Sequence, residues 1–300
     1  MKRIWIGLLP PALRAITNYI DKYLLSKVFH EEKNISVLLI FSSIVGIIAL
    51  PFILIFADNV FAISTLNKIV MIGSGVIYVL SIIPYLYALK KDETSTVAPL
   101  FQMVAPITLI LWYFLLGESL STQQLIWFLV IFISSFALSL DLTHKIKFKY
   151  EIFLLMFVSC ALISLKFVAF KRVDIQASFW TTTFWEYVWF GLASIFLLCI
   201  PWYAKSFFRL FKRDKYKIIS LNWLNEIFGL GGVAIMNYVS ILTLVGLAQL
   251  MNGFQPIFIF IFGILLTRLL PKIVKENYSK VVVIQKILCF ALILFWLYLL

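Results

Sequence analysis

The sequence is poor in charged residues and in the residues that form metal sites. Only 13% of its 300 residues are charged, and it contains three cysteines and two histidines. The cysteines have neither a CxxC pair nor the spacing of metal ligands, which argues against a zinc site. A P-loop, an HExxH sequence and a nucleophile with a neighbouring base are also missing, which argues against ATP hydrolysis and against an enzyme. We therefore expect no metal, no cofactor and no catalytic residues.

Long polar segments are missing as well. Hydrophobic residues make up 63% of the chain, and its mean hydropathy is +1.01. A membrane-spanning helix needs about 20 apolar residues. We therefore predict an all-α polytopic membrane protein with ten transmembrane helices, located in the plasma membrane of a bacterium or an archaeon. The predicted spans are 4–28, 35–57, 67–89, 96–116, 123–142, 150–170, 178–203, 218–242, 247–269 and 279–299.

Basic residues outnumber acidic ones by 26 to 14, and they lie mainly in short connections. When residues within two positions of a span end are counted with the connection, those after spans 1, 3, 5, 7 and 9 hold 17 of the 26. The sequence has no basic domain and no basic patch interleaved with aromatic residues, so we expect no nucleic-acid partner. The positive-inside rule places these connections in the cytoplasm and both termini outside.

Charged and polar residues interrupt the first predicted span on one helical face. Arg14, Thr17, Asn18, Asp21 and Lys22 follow the spacing of residues that lie above one another on a helix. A charge inside the membrane costs at least about 2.5 kcal/mol, so such residues usually face a bundle interior and mark a substrate or ion path. The alternative is that Asp21 and Lys22 neutralise each other and only hold helices together.

Later spans carry polar residues that can line a cavity together with this face. Glu186 and Glu226 lie about nine residues from a span end, toward the middle of the bilayer. Burial disfavours an ionised carboxyl unless a cation is near. Each glutamate is therefore predicted to couple transport to protons, to bind a substrate amine, or to be a neutral acid that only hydrogen-bonds neighbouring helices. Lys22 and Lys166 are candidates for binding an anionic group, although a lysine can also reach the lipid headgroups from inside the membrane. The predicted substrate-binding residues are Asn18, Asp21, Lys22, Tyr85, Gln102, Lys166, Glu186, Asn225, Glu226, Asn252 and Gln255.

The chain also repeats itself at a spacing of half its length. At a separation of 150 residues Pro106 meets Pro256, and Gln102 meets Asn252. Apolar matches are common in such a composition, but a shared proline preceded by a shared amide is not. A proline kinks a helix and frees a carbonyl one turn earlier, so both prolines can bend their spans around a cavity, or can serve packing alone.

We therefore predict two repeats of five helices, residues 1–143 and 144–300. Because five is an odd number, the second repeat must enter the membrane inverted relative to the first. Transporters commonly use such repeats and hold their substrate between them, near the midplane of the bilayer. A duplicated membrane protein with a purely structural role is the alternative.

The segment PYLYALKKDETSTVAPLFQMVAPITLILWYFLLGESLS, at 84–121, carries a family resemblance. It has Ala-Leu at the end of the third span, Pro106 within the fourth, and the turn Gly-Glu-x-Leu-Ser after it. In these features it resembles the EamA-type transporters of the drug/metabolite transporter superfamily. The second copy of the segment keeps the proline but has Thr267 and Arg268 in place of Gly-Glu.

The resemblance implies ten helices in two repeats and transport of a small metabolite. It also implies that both termini lie in the cytoplasm, which is opposite to the indication of the charge count. The segments NYIDKYLL at 18–25, FWEY at 184–187 and LNEI at 224–227 are similar to a subgroup of the family from which no particular substrate follows.

From these observations we predict a secondary transporter that moves a small polar or charged metabolite by alternating access, with proton coupling as an option. Its expected partners are a small-molecule substrate and membrane lipids, and the sequence is also compatible with a homodimer. A flippase for a phosphate-bearing lipid carrier is the alternative, since the Lys and Arg residues of one face can hold a head group. A lateral opening beside a charged pocket favours the flippase, whereas a closed central cavity favours the solute carrier.

Overall fold

The computed structural model describes residues 2–25, 35–57, 59–92, 94–117, 150–213, 217–242, 248–249 and 251–269, with scattered residues of 121–133 and 284–291. Every regular element in these ranges is helical, which confirms the predicted class. We number the main helices in this part of the chain α1 (Lys2–Tyr23), α2 (Ile35–Phe56), α3 (Thr65–Lys91), α4 (Val104–Leu116), α5 (Tyr150–Asp174), α6 (Phe179–Cys199), α7 (Pro201–Arg213), α8 (Lys217–Leu242) and α9 (Gln255–Leu269).

Among the residues that the structure describes, six helical stretches are long and apolar enough to cross a membrane. They are Val37–Phe56, Thr65–Lys91, Tyr150–Asp174, Phe179–Cys199, Ile219–Leu242 and Met251–Arg268. Large apolar side chains on their outer surface are exposed, as at Phe52, Ile55 and Phe196. Such an extended apolar surface marks contact with lipid or with another protein. The helices are those of a multi-pass membrane protein.

Several predicted spans agree with the observed helices to within a few residues. Spans 2, 3, 6 and 8 correspond to α2, α3, α5 and α8, and span 1 corresponds to α1. α1 is 22 residues long, and its polar residues set it apart from the six apolar stretches. Predicted spans 5 and 10 lie largely outside the described residues.

The predicted seventh span, 178–203, was too long, because the helix ends at Cys199 and Pro201 begins a separate helix, α7. A proline lacks the backbone N–H that would continue the ladder, but it fits the first turn of a new helix. α7 is amphipathic: Phe207 is buried against Phe41, with ring centroids 5.2 Å apart, whereas Lys205 and Arg209 are exposed. The segment after residue 204, expected to be a polar connection, is therefore helical as far as Arg213.

The fourth and ninth spans are interrupted at corresponding places. A 3₁₀ segment, Ala98–Met103, precedes α4, and another, Met251–Phe254, precedes α9. The first lies just before Pro106 and the second just before Pro256, where the missing N–H weakens the regular ladder. The two segments contact each other, and the Gln102 side chain donates a hydrogen bond to the Asn252 carbonyl at 2.8 Å.

The helices pack in pairs that join distant parts of the chain. α1 packs along α8, α3 packs along α5, α4 packs against α5, and α9 packs against α1. α2 and α6 cross in close contact at two glycines. A Cβ atom at Gly46 would lie 2.8 Å from Cβ of Phe190, and one at Gly191 would lie 2.3 Å from Cγ1 of Ile47. Only a glycine at each position permits this close approach.

Candidate functional site

A polar cavity of about 100 Å³ lies among α1, α2, α3, α5 and α8. Membrane helices packed only for stability would fill such a space with apolar side chains. Here the lining includes a guanidinium and two carboxyls. The polar residues that line the cavity are Arg14, Thr17, Asn18, Asp21, Ser42, Tyr78, Ser81, Tyr85, Ser159, Asn225 and Glu226.

Asp21 is held on both of its carboxyl oxygens. Asn225 donates to Oδ1 at 2.7 Å, and the Tyr85 hydroxyl donates to Oδ2 at 2.9 Å. Helices α1, α3 and α8 are joined through this one side chain. Hydrogen bonds from two neutral donors stabilise a carboxylate without neutralising it.

The Tyr85 hydroxyl lies 2.9 Å from the Asn18 amide oxygen as well. A hydroxyl has one proton, and Tyr85 can therefore donate to Asp21 or to Asn18 but not to both. The amide nitrogen of Asn18 is buried with no hydrogen-bond partner among the described atoms. Rotating this amide would bring its N–H to the Tyr85 oxygen, so that Asn18 donates to Tyr85 and Tyr85 donates to Asp21.

Glu226 lies on α8, one residue after Asn225, and also faces the cavity. Its Oε1 accepts a hydrogen bond of 2.6 Å from Ser42 on α2. This bond joins α2 to α8 at the edge of the cavity. The carboxyl is 6% exposed, so it is almost removed from water but remains in contact with the cavity.

Arg14 is the cation of the cavity. Its guanidinium carbon lies 5.9 Å from the centre of the Phe101 ring, within the range of a cation–π contact. Among the residues that the structure describes, no carboxylate lies within 4 Å of its nitrogens. The N–H donors of Arg14 therefore form no ion pair with an acidic side chain among the described residues.

Glu186 lies in a second polar cluster, outside the cavity lining. Its Oε1 is 2.9 Å from Nζ of Lys166, and both side chains are completely buried. Asn237 closes the cluster, because its amide oxygen accepts from Lys166 at 2.8 Å and its amide nitrogen donates to Oε2 of Glu186 at 2.8 Å. We call Lys166, Glu186 and Asn237 the paired triad. It joins α5, α6 and α8, and Lys166 does not extend to lipid headgroups.

The predicted amides of spans 4 and 9 form a third group, at the contact between the two 3₁₀ segments. Besides the bond from Gln102, the Asn252 side chain donates to Gln249 at 2.7 Å. Gln255 is completely buried, and neither its oxygen nor its nitrogen has a partner among the described atoms. This group lies outside the cavity lining.

Lys22 serves a different purpose from the rest of its helical face. Its ammonium donates to the Leu89 carbonyl at 2.9 Å and to the Asp92 carbonyl at 2.6 Å, at the C-terminal end of α3. A lysine placed there satisfies carbonyls that the helix leaves without partners. Lys22 is therefore engaged with backbone, away from the cavity.

The structure thus places five predicted site residues around one cavity: Asn18, Asp21, Tyr85, Asn225 and Glu226. It places Lys166 and Glu186 in the paired triad, Lys22 at the end of α3, and Gln102, Asn252 and Gln255 at the 3₁₀ contact. The cavity residues that the predicted set omitted are chiefly Arg14 and Ser42. Arg14 belonged to the polar face of the first span, and Ser42 is part of a Ser-Ser pair in a predominantly apolar span.

No family model and no curated protein matches the chain. The fold has counterparts among solved structures, of which 21 chains match. One of them, described as "Crystal structure of protein", has a TM-score of 0.62 and 16% sequence identity, over 98% of this chain and 94% of that one. At this identity the likeness shows a shared fold.

Proposed function

We propose that the chain is a secondary transporter that moves a small polar or charged solute across a membrane by alternating access. The observation that carries the proposal is the cavity, in which Asp21, Glu226 and Arg14 face one space. Four of the five helices around this space, α2, α3, α5 and α8, contain a stretch that is long and apolar enough to cross a bilayer. Ionisable groups are costly among membrane helices, and they face cavities or partners when they serve a transport path.

The packing of the helices supports a fold of two inverted five-helix repeats, 1–143 and 144–300, like that of EamA-type transporters. In these repeats α1, α2, α3 and α4 correspond to α5, α6, α8 and α9. The contact of α1 with α8 then corresponds to the contact of α5 with α3, and the contact of α9 with α1 corresponds to that of α4 with α5; all four contacts are present. α2 and α6 are each other's counterparts, so their crossing is unchanged when the halves are exchanged. Gln102 and Asn252, which are 150 residues apart, meet where the halves join.

Alternating access requires the two halves to move against each other around the site. The cavity is bounded by α1, α2 and α3 of the first half and by α5 and α8 of the second, so relative movement of the halves would change its access. Glu226 is the proposed coupling group, because its carboxyl faces the cavity and receives one hydrogen bond, from Ser42. The charge count still predicts that both termini lie outside the cytoplasm.

A library of metabolites screened for thermal stabilisation of the purified protein, followed by flux assays in proteoliposomes with and without a proton gradient, tests this function. We expect at least one stabilising compound to cross the membrane of proteoliposomes containing the protein, and not of protein-free vesicles. Accumulation driven by the gradient would support coupling through Glu226. If stabilising compounds bind without crossing, the chain is a receptor or a sensor and not a transporter.

A lipid flippase is a second candidate, because an apolar groove of about 930 Å³ runs beside the cavity. α2 and α8 contribute to both spaces from opposite faces: Ser42 and Glu226 line the cavity, whereas Val45 and Ile227 line the groove. The hydrogen bond between Ser42 and Glu226 therefore lies between a polar space and a space that suits lipid chains. Movement of a fluorescent phospholipid between the leaflets of proteoliposomes tests the flippase directly.

A further inference from the structure

The paired triad and the cavity occupy corresponding places in the two halves. When the halves are exchanged, α5, α6 and α8 correspond to α1, α2 and α3. Lys166 and Asn237 then correspond to Arg14 and Tyr85, each at a separation of 152 residues. The same separation relates Thr65, where α3 begins, to Lys217, where α8 begins. Leu165-Lys166 in the second half also matches Leu13-Arg14 in the first.

The α2–α6 crossing sets the correspondence for the remaining member of the triad. Gly46 contacts Phe190, and Gly191 contacts Ile47, as expected when residues 144 apart exchange places. At that separation Glu186 corresponds to Ser42. The first half therefore has a cation, a short hydroxyl side chain and a phenol where the second half has a cation, a carboxylate and an amide.

This difference leaves Arg14 without the counter-charge that Lys166 has. The carboxylate of Glu186 lies 2.9 Å from Lys166 in a place with no exposure. The corresponding side chain in the first half, Ser42, has no charge and lines a cavity together with Arg14. The fold thus provides a position for a carboxylate beside a cation. In the first half, the Glu226 carboxylate contacts Ser42, but no acidic side chain among the described residues lies within ion-pair distance of Arg14.

We propose that Arg14 binds the carboxylate of a small carboxylic acid, which occupies beside Arg14 the place that the Glu186 side chain occupies beside Lys166. This inference rests on the proposed transport function and names the chemical class of its substrate. A guanidinium suits this role because its planar donors bind a carboxylate through two parallel hydrogen bonds. The open volume of about 100 Å³ restricts the acid to a small one, since an apolar cavity of about 150 Å³ holds benzene.

The rest of the cavity favours an acid that also carries a hydrogen-bond donor. Asp21 lies seven residues after Arg14, which places it about 10 Å further along the helix axis. Asp21 and Glu226 supply acceptor oxygens at that end. An amine or a hydroxyl on the bound acid would meet them while its carboxylate meets Arg14.

Equilibrium binding to the purified full-length protein tests the proposal with a panel of small carboxylic acids and, as matched probes, the primary amide of each acid. We expect acids to bind and their amides to bind at least about tenfold more weakly, as loss of a charged hydrogen-bonded pair predicts. The Arg14→Gln variant should lose the preference for acids, and Arg14→Lys should keep part of it. Equal binding of acids and amides, unchanged acid binding by Arg14→Gln, or no binding of any acid would each overturn the proposal.

A second experiment needs no ligand. Because the Glu226 carboxylate lies 2.6 Å from the Ser42 hydroxyl, the experiment uses the Glu226→Gln background. In that background Ser42→Glu introduces a carboxylate at the position that corresponds to Glu186, and Ser42→Gln is its uncharged control of the same size. If the place beside Arg14 accepts a carboxylate, Ser42→Glu should unfold at a higher temperature than Ser42→Gln, and the difference should vanish when Arg14→Gln is added. A difference that is absent, reversed or independent of Arg14 would count against the proposal.

The two proposals fail in different ways. Transport of a neutral or cationic solute into proteoliposomes, with binding unaffected by Arg14→Gln, would support the transport function and contradict the proposed carboxylate site. Acids that bind through Arg14 but do not cross the membrane would leave the carboxylate site in place and remove the transporter.

Discussion

The cavity and the paired triad, which the proposed repeat relates to each other, differ in whether their charges are matched. In the triad, Lys166 and Glu186 form an ion pair with no exposure to solvent, and Asn237 hydrogen-bonds to both of them. In the cavity, Asp21 and Glu226 accept hydrogen bonds from neutral donors, and Arg14 faces open space. The triad is thus closed by its own side chains, whereas the cavity leaves an open space beside its charged groups.

The comparison assigns different roles to residues that look alike in the sequence. A buried glutamate that already contacts a lysine and an asparagine contributes to the assembly of helices. A buried glutamate that faces a cavity and accepts a hydrogen bond from one hydroxyl group can still bind a proton or a ligand. Substitutions should therefore affect stability at Glu186 and transport at Glu226.

The largest effect on stability is expected from breaking the paired triad. Lys166→Met leaves the Glu186 carboxylate buried without its cation, which should destabilise the protein by about 3–5 kcal/mol. Combining Lys166→Met with Glu186→Gln removes both charges and should restore most of the lost stability, because a neutral pair avoids the cost of an isolated buried charge. Thermal unfolding in detergent, followed by tryptophan fluorescence, measures both variants. A single variant as stable as the wild type would contradict the pairing.

The largest effect on transport is expected at Glu226. Glu226→Gln keeps an oxygen to accept the bond from Ser42 but cannot exchange a proton, so flux in proteoliposomes should be abolished while expression and unfolding temperature stay close to those of the wild type. Glu151→Gln is the matched control, since the Glu151 carboxyl is exposed and paired with Lys91 on the surface. Full activity of the Glu226→Gln variant would eliminate the coupling role.

α2 carries Ser42 of the cavity and α6 carries Glu186 of the paired triad, and the two helices cross at Gly46 and Gly191. Disrupting this crossing should have an intermediate effect on stability. A methyl group at Gly191 would lie 2.3 Å from Ile47, which should cost about 1–3 kcal/mol through overpacking in Gly191→Ala. At Gly73, no atom lies within 4 Å of an added Cβ. Gly73→Ala in α3 should therefore be neutral or stabilising by up to about 1 kcal/mol, as helix propensity predicts. Equal unfolding temperatures for the two variants would show that the crossing is not tightly packed.

The smallest expected effect is at the hydrogen-bonded chain of the cavity. Tyr85→Phe removes the hydroxyl between Asn18 and Asp21, and should lower stability by about 1 kcal/mol, the usual net value of one hydrogen bond. Tyr113→Phe is the control, because the Tyr113 side chain is 55% exposed. Chemical denaturation of the two variants in parallel gives the comparison. A loss at Tyr113 as large as that at Tyr85 would remove the structural role assigned to the chain.

Features that depend on neighbours along the chain were predictable from the sequence. The apolar runs gave the positions of α2, α3, α5 and α8, since the length and hydropathy of a span are local properties. The polar face of α1 followed from helical spacing alone, and four of its five residues do line the cavity. The interruptions before Pro106 and Pro256 also have a local cause, although their 3₁₀ form was not foreseen.

Features that depend on which helices meet were not predictable in the same way. Lys22 is one residue from Asp21 in the sequence, yet it contacts carbonyls at the end of α3 while Asp21 contacts Asn225, 204 residues away. The expected grouping of Glu186 with Glu226 was replaced by its pairing with Lys166 and Asn237. A side chain's neighbours are set by the crossing of its helix with others, and the spacing of residues along one helix carries no record of that crossing.

The sequence by itself determined that this protein is helical, belongs in a membrane and carries polar residues there at a cost that calls for an explanation. Only the tertiary structure decided which of those residues satisfy one another and which face an open cavity. The physical reason is that burial and pairing of charges depend on distances of a few ångströms between helices, and those distances exist only once the helices have packed.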